Sequence, residues 1–361
     1  MAITRTGTPR EMVGDIDEKP ADQTVRPTLK TVAEESGFAV TTVSRALADD
    51  PRIAKDTRQK VADIAHRLGY VPNRAAQRLR TGRTKVISLL LNTTHEFLSF
   101  TSEFLSGMTD GLAGTGYAVT ITPDRLAEDR LEVIRNIRRN SLADAIVFTR
   151  TECFDERVRY LLEHNFPFAT HGRTDFTTPH PFVDFDNEVF ARMAVDRLVA
   201  KGRKHICMVM PQERFTFSQH LRFGARQAAS NHGIKLTIPD RIDLDSAPDL
   251  IAETLRGLHT GHHAPDGYVC VGEVMALITM AALQDAGLTQ GREVDVVAKR
   301  ASPISNYFRP KIETINEDLK ATGRAMAEVL LRRIAGAPTS DTQVLLSPEG
   351  GFSACKDLNH F

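Results

Sequence analysis

Short polar side chains recur in the stretch TLKTVAEESGFAVTTVSRAL, which begins at Thr28. The hydroxyls of Thr41 and Ser44 can donate to or accept from base edges and phosphates, Val40 can contact a thymine methyl group, and Arg45 can reach guanine or a phosphate. Each of these residues alone is weak evidence, because an exposed Thr or Arg on a helix is usually only solvated. The ordered set predicts a helix that reads DNA.

The elements that must present these side chains are short helices. Apolar residues recur at helical spacing on both sides of Gly37, which supplies a tight turn between two helices. A third helix is expected from about Lys55 to Leu68, closed by Gly69. The pattern predicts an all-α helix-turn-helix head over residues 27–71, with its second helix lying in the major groove.

The distribution of charge supports this interpretation. The chain has 361 residues, of which 41% are hydrophobic and 25% charged, and its formal net charge is zero. Residues 27–83 nevertheless carry 11 Lys and Arg against 6 Asp and Glu, a net charge of +5. A small basic segment joined to an acidic body is typical of a nucleic-acid-binding protein.

The stretch TLKTVAEESGFAVTTVSRAL, followed by VPNRAAQRL, resembles the head of the lactose-repressor (LacI) family of bacterial transcription regulators, and the resemblance extends from about residue 28 to about residue 350. It implies that residues 72–83 are a hinge helix that folds on paired operator half-sites and inserts Leu79 into the minor groove. Leu79 is a lone large apolar residue on a basic segment, which suits opening a base step. A flexible linker whose leucine packs on the body is the alternative. The residues predicted to contact DNA are Thr28, Leu29, Ala39, Val40, Thr41, Thr42, Ser44, Arg45, Asn73, Arg74, Gln77, Arg78 and Leu79.

Strands and helices alternate from Val86 onward, a rhythm that predicts parallel sheets with crossover helices. About 275 residues exceed one typical sheet, so residues 84–361 are expected to form an α/β body of two doubly wound parallel-sheet lobes around a cleft. The resemblance implies lobes of periplasmic-binding-protein type. Residues 1–26 are polar and without periodicity, and they are predicted to be a disordered arm.

Ligands of open parallel sheets bind outside the carboxyl ends of the strands. The side chains that follow predicted strand ends, or lie near them, are therefore the candidate effector contacts. Asp186 has the alternative role of a helix cap, and His171 that of a hydrogen-bonded core histidine. The candidates are Asn92, Phe100, His171, Arg173, Asp186, Phe217, His220, Arg222, Glu273 and Arg300.

Departures from the family pattern point to the charge of the effector. The chain has Gly272-Glu273 where many members have Asn-Asp, Arg300 where they have Asp, and Leu221 where an Arg is usual, with His220 and Arg222 on either side. Together with Arg173 and Lys299, Arg300 favours an effector that carries a carboxylate or phosphate. Alternatively, Lys299 and Arg300 point to solvent or pair with Glu273, and the ligand is a neutral sugar.

The resulting hypothesis is a sequence-specific regulator, a repressor of carbohydrate catabolism or transport genes controlled by a small sugar or an anionic sugar derivative. We expect a homodimer on a pseudo-palindromic double-stranded DNA operator, since one recognition helix reads only a half-site. A nucleobase or organic-acid effector, a solute-binding module without a DNA-linked switch, and activation instead of repression stay open.

The sequence lacks the motifs of several function classes. The sequence contains no GxSxG, P-loop, GxGxxG or HExxH, so no enzyme is predicted. Its four cysteines lie far apart, with no CxxC and no His at metal-ligand spacing, so neither a metal nor another cofactor is expected. No stretch approaches ~18 apolar residues and no leader is recognisable, which predicts a cytoplasmic protein without membrane contact.

Overall fold

The computed structural model describes residues 27–71, 78, 82–92, 97–124, 129–260 and 263–354, with the backbone alone for 97–99 and 353–354. The chain divides into two units, Met1–Arg80 and Thr81–Phe361. The predicted N-terminal arm lies outside the described residues. So do four predicted DNA contacts of the hinge, Asn73, Arg74, Gln77 and Leu79.

The described part of the first unit contains the helices α1 (Leu29–Ser36), α2 (Val40–Ala46) and α3 (Lys55–Arg67). Thr28 caps α1: its hydroxyl accepts from the Thr31 N–H at 3.3 Å, and its own N–H donates to the Thr31 hydroxyl at 3.1 Å. Gly37 ends α1 with a left-handed φ of 74°, as the predicted turn requires. The shared core is formed by Val32, Ala33, Val43, Ala46, Val61, Ile64 and Ala65.

The second unit alternates between strands and helices. Its strands are β1 (Val86–Leu91), β2 (Ala118–Pro123), β3 (Ala145–Phe148), β4 (Phe168–His171), β5 (Phe182–Phe185), β6 (His205–Met208), β7 (Lys235–Thr237), β8 (Gly267–Cys270), β9 (Asp295–Arg300), β10 (Glu313–Asn316), β11 (Gln343–Leu346) and β12 (Ser353–Ala354). Its helices are α4 (Phe97–Leu112), α5 (Arg130–Arg139), α6 (Glu156–Glu163), α7 (Asn187–Ala200), α8 (Thr216–His232), α9 (Pro248–Gly257), α10 (Glu273–Asp285) and α11 (Leu319–Ile334). No described helix is long and apolar enough to cross a membrane.

The strands form two six-stranded sheets, one in each lobe. In the first lobe the order is β11-β5-β4-β3-β1-β2, and all neighbouring strands are parallel. Successive residues of β1 face opposite sides of the sheet: Leu89 packs with α4 and α11, whereas Leu90 packs with α5 and α6. Helices therefore cover both faces, as the prediction of a doubly wound sheet requires.

The second lobe has the strand order β12-β10-β9-β8-β6-β7. Its strand pairs are parallel except for β12, which runs antiparallel to β10. Fully buried residues such as Leu198, Leu221 and Leu255 join α7, α8 and α9 to one continuous core. The predicted fold class, an all-α head with a two-lobed α/β body, is confirmed.

The chain crosses between the lobes at three places: from β5 to α7, from β10 to α11 and from β11 to β12. Helix α11 and strand β11 consequently belong to the first lobe although they follow the second in sequence. Strands β5, β7, β10, β11 and β12 were not identified from the sequence: each includes a polar residue, whereas the equally short β3 is a continuous apolar run.

Glycines allow α4 and α11 to lie in close contact. A Cβ atom on Gly323 would stand 2.2 Å from the carbonyl oxygen of Phe104, and one on Gly107 would stand 2.0 Å from that of Lys320. Both obstacles are backbone atoms, so only a shift of a whole helix could make room. The packing of α11 on the first lobe depends on these missing side chains.

We therefore expect Gly323→Ala to destabilise the protein by about 1–3 kcal/mol or more, because overpacking forces the two backbones apart. Gly257→Ala is the matched control: its Cβ would meet nothing within 4 Å, and alanine in a helix is favoured over glycine by about 0.5–1 kcal/mol. Thermal unfolding followed by circular dichroism should lower Tm for the first variant and not for the second. Equal Tm values for the two variants would contradict this account of the helix contact.

Candidate nucleic-acid interface and ligand cleft

Helix α2 presents the predicted polar face to solvent. Val43 and Ala46 are buried in the head core, whereas Thr41 and Arg45 are exposed. Val40 is 42% exposed, which leaves its side chain accessible for contact with a thymine methyl group. Of the other predicted contacts on this segment, Ala39 is exposed while Thr42 and Ser44 are half-buried.

Two predicted DNA contacts have structural roles in α1. The hydroxyl of Thr28 is engaged in capping the helix. Leu29 is half-buried and packs against the head core. If Thr28 and Leu29 contact DNA, they do so with side chains that also stabilise the head. In the predicted hinge, Arg78 is described and exposed.

The side chain of Arg45 is held by a carboxylate that follows the C-terminal end of α2. Its Nε donates to Asp50 at 3.2 Å, and the same carboxylate accepts from the backbone and the guanidinium of Arg52 at 2.8 to 3.0 Å. The hydrogen bonds from Arg52, followed by those from Arg45, hold the pKa of Asp50 well below its usual value. Asp50 therefore stays charged and keeps both guanidinium groups beside α2.

In the body, a cleft of about 1310 Å³, including open solvent, lies at the carboxyl ends of strands of both sheets. The first lobe contributes residues that follow β1, β3 and β4, and the second lobe contributes those that follow β8 and β9. Apolar side chains including Phe100, Phe217 and Ile251 line it together with polar and charged groups. Its position is the one that parallel-sheet topology predicts.

Six predicted effector contacts line this cleft: Asn92, Phe100, His171, Phe217, Glu273 and Arg300. The Nδ1 atom of His171 lies 2.9 Å from the carbonyl oxygen of Val183, which suits an N–H donor at Nδ1. The Nε2 atom lies 3.8 Å from a carboxylate oxygen of Glu317. The ring centroid of His171 is 5.2 Å from that of Phe100, so the imidazole is held against an aromatic wall.

Four predicted contacts do not line the cleft. Asp186 caps α7 by accepting from the Val189 N–H at 3.1 Å, which is the alternative considered for it. Arg173 pairs with Asp184 at 2.8 Å and also lies 3.4 Å from His220. The two remaining residues, His220 and Arg222, lie on α8, which begins at Thr216.

His220 and Arg222 interact with residues that do not line the cleft. Burial, and secondly the charge of Arg173, lower the pKa of His220, which favours a neutral imidazole. Arg222 pairs with Glu213 at 3.3 Å, while the intervening Leu221 is fully buried in the core of the second lobe. This helix therefore sends no guanidinium into the cleft lining.

Several cleft residues were missed from the sequence: Thr101, Arg150, Asp184, Asn187 and Glu317. Asn187 is the neighbour of Asp186, which was nominated in its place, and Glu317 follows strand β10, which was not identified from the sequence. The Nζ atom of Lys299 lies 2.6 Å from Glu317 and 3.2 Å from the Asn187 amide oxygen. Glu317 thus neutralises Lys299, and the amide oxygen of Asn187 accepts a hydrogen bond from it; both partners lie at lobe crossings.

Three buried polar atoms of the cleft lining have no hydrogen-bond partner in the described structure: Asn92 Nδ2, Thr101 Oγ1 and Glu273 Oε2. A buried polar atom without a partner costs free energy, typically about 1–3 kcal/mol. These atoms are an amide donor, a hydroxyl and a carboxylate oxygen, and the residues that carry them line the cleft. No group of three or more metal-ligating side chains occurs among the residues that the structure describes.

Polar contacts join the lobes beside the cleft. Arg150 of the first lobe donates to Asp245 of the second at 2.6 Å, and both side chains are largely buried. The Arg150 guanidinium also lies 5.6 Å from the ring centroid of Phe215. Next to this pair, the Thr216 N–H donates to the carbonyl of Thr151 at 2.9 Å. These contacts therefore contribute to holding the two lobes at their present angle.

Comparison with known proteins agrees with both parts of the structure. Residues 28–73 match the family model described as bacterial regulatory proteins, lacI family, and residues 195–350 match that of a periplasmic binding protein-like domain. The chain is 28% identical over 313 residues to the HTH-type transcriptional regulator AglR of Rhizobium meliloti (strain 1021), covering 84% of this chain and 86% of that protein. It is 26% identical over 329 residues to the HTH-type transcriptional regulator CelR of Thermobifida fusca, covering 89% and 96%.

Solved structures share the fold. The crystal structure of the lac repressor dimer bound to operator and the anti-inducer ONPF aligns with a TM-score of 0.75 at 21% identity, covering 92% of this chain and 98% of that one. A complex of the transcriptional regulator CelR with cellobiose aligns with a TM-score of 0.65 at 22% identity, covering 92% and 100%. With its helix-turn-helix head, two-lobed body and matching relatives, the chain belongs to the lacI family of bacterial regulatory proteins and is a DNA-binding transcription regulator.

Proposed function

We propose that this regulator represses genes of carbohydrate catabolism or transport and that a small sugar or sugar derivative in the cleft controls it. The observation that carries the proposal is the set of unpartnered atoms, Asn92 Nδ2, Thr101 Oγ1 and Glu273 Oε2. A sugar hydroxyl both donates and accepts, so the hydroxyls of a sugar match the chemistry of all three atoms. The rings of Phe100 and Phe217 supply apolar surface for the C–H faces of such a ligand.

The names of similar proteins support this effector class without deciding it. CelR was solved in complex with cellobiose, and another similar regulator is RafR of Escherichia coli. A nucleobase or an organic acid is the second candidate. It is supported by the similarity to the HTH-type transcriptional repressor PurR of Haemophilus influenzae, which is 23% identical over 315 residues.

The DNA partner proposed here is a pseudo-palindromic operator bound by a homodimer. Helix α2 has seven residues and can read one half-site, so two copies are needed for a symmetric operator. Thr41, Ser44 and Arg45 would contact base edges or phosphates, and the segment 72–83 would join each head to its body. The lac repressor dimer bound to operator is the structural precedent.

The effector would act by changing the angle between the lobes. Arg150 lines the cleft and also donates to Asp245 of the other lobe. A ligand that contacts Arg150 would therefore alter the hydrogen bond between the lobes. Two arrangements of the lobes with different affinity for the effector would couple cleft occupancy to the spacing of the paired hinges. Repression relieved by the ligand is the favoured direction.

The DNA-binding proposal predicts that selection from a random-sequence pool yields a pseudo-palindromic site. Thr41→Ala should weaken binding to that site about 5- to 150-fold, because a lost base contact costs about 1–3 kcal/mol. Arg67→Gln is the matched control, since Arg67 lies on α3 and pairs with Glu35 at 2.9 Å. Gel shifts measure both variants. A wild-type protein without sequence preference at any salt concentration would exclude the proposal.

The lobe contact predicts a large effect at Asp245. Asp245→Ala removes the second-lobe carboxylate that accepts from the Arg150 guanidinium at 2.6 Å and should cost about 3–5 kcal/mol, as expected for a broken buried pair. The control is Asp285→Ala, which breaks the exposed Arg256–Asp285 pair and should cost about 0–1 kcal/mol. Urea unfolding gives both values. A loss at Asp245 no larger than the control would mean that this contact does not hold the lobes together.

A further inference from the structure

This inference rests on the proposal that the cleft binds an effector. The residues that the second lobe contributes to the cleft wall indicate the charge of that effector. Glu273 is 3% exposed and begins α10. Its Oε1 atom accepts from the N–H groups of Ala301 and Ser302 at 3.2 and 2.8 Å, and from the Ser302 hydroxyl at 3.0 Å. These bonds fix the carboxylate, while the buried Oε2 atom has no partner within the described structure.

Arg300 lies at the end of β9 and lines the same cleft. Its backbone carbonyl accepts from the Glu317 N–H at 2.8 Å, which fixes the main chain there. Among the described residues, no carboxylate forms an ion pair with its guanidinium. Since a guanidinium offers five N–H donors, Arg300 is available to bind acceptor groups of a ligand.

The other charges at the cleft occur in close pairs. Arg150 pairs with Asp245 at 2.6 Å, Lys299 with Glu317 at 2.6 Å and Arg173 with Asp184 at 2.8 Å. Two of the three cations that suggested an anionic effector, Arg173 and Lys299, are therefore already neutralised. What is left among the described charges is one carboxylate, Glu273, and one guanidinium, Arg300, whose charges sum to zero.

Gly272 opens space beside this carboxylate. A Cβ atom on Gly272 would meet nothing within 4 Å, and its φ of −174° is ordinary extended backbone. The space exists because the side chain is absent and not because the backbone is unusual. A ligand can therefore approach the wall beside Glu273 without displacing a protein side chain.

We propose that Glu273 and Arg300 are specificity-determining residues that select a neutral polyhydroxylated effector. Hydroxyl groups of the ligand donate to Glu273 Oε2 and accept from the Arg300 guanidinium. An ionised carboxylate or a phosphate dianion near this wall gains Arg300 as a partner but faces the buried negative charge of Glu273, to which it has no proton to donate. Repulsion between like charges in a poorly solvated wall opposes its binding.

The test uses matched pairs of neutral and acidic probes on the full-length protein: glucose with glucose 6-phosphate, lactose with lactobionate, and trehalose with trehalose 6-phosphate. Isothermal titration calorimetry is expected to detect at least one neutral probe and to show its acidic partner binding at least tenfold more weakly. Glu273→Gln keeps the size of the side chain and removes its charge, so it should reduce that preference at least tenfold. Arg300→Gln should weaken binding of the neutral probe about tenfold.

Arg292→Gln is the matched control, because Arg292 is an exposed arginine outside the cleft lining. It should bind every probe as the wild type does, and thermal unfolding should show whether each variant is folded. Tighter binding of an acidic probe than of its neutral partner by the wild type would overturn the proposal. So would a panel in which no neutral probe binds, or an unchanged preference in folded Glu273→Gln. Gel shifts with the wild type test DNA binding separately. A wrong proposal about effector charge can therefore be distinguished from a wrong conclusion that the protein regulates transcription.

Discussion

The geometry of parallel strands is the constraint on which the body of this regulator depends. A parallel pair needs a crossover connection, so successive strands of a sheet end at the same edge. In both lobes that carboxyl edge faces the cleft. Chain crossings between the lobes add Asn187 and Glu317 to its wall. The location of the cleft therefore follows from connectivity, and side chains decide only what it binds.

Burial then determines which charges in the cleft are available. Removing an ion from water costs several kcal/mol unless a partner compensates, and Arg150, Arg173 and Lys299 each have a carboxylate within 2.8 Å. The pair of Arg150 and Asp245 also connects the lobes, so neutralisation and lobe position depend on the same contact. Glu273 and Arg300 differ because the fold gives them no counter-ion among the described residues. On our proposal, the selectivity of the cleft arises from these two groups, which the described structure leaves unpaired.

The head follows a different physical arrangement. Its helices enclose a core of their own, and Val43 and Ala46 fix the face of α2 that points inward. Thr28 and Gly37 set the ends of α1, so the polar face of α2 has a defined position on a small, independently packed unit. The ion pairs of Arg45 and Asp50 lie at its surface, where water screens them and DNA phosphates can compete for the guanidinium.

The sequence by itself determined the helices of the head, the alternation of strands and helices, and six of the ten candidate cleft residues. These features rest on local periodicity, capping and strand ends, which a short window of residues contains. Tertiary structure alone decided that Arg173 and Lys299 are paired and that Arg300 is available. Lys299 and Arg300 are neighbours in sequence, yet the partner of Lys299 follows a short strand that local periodicity could not reveal. Pairing of charges is set by which distant elements meet, and that information exists only in the folded chain.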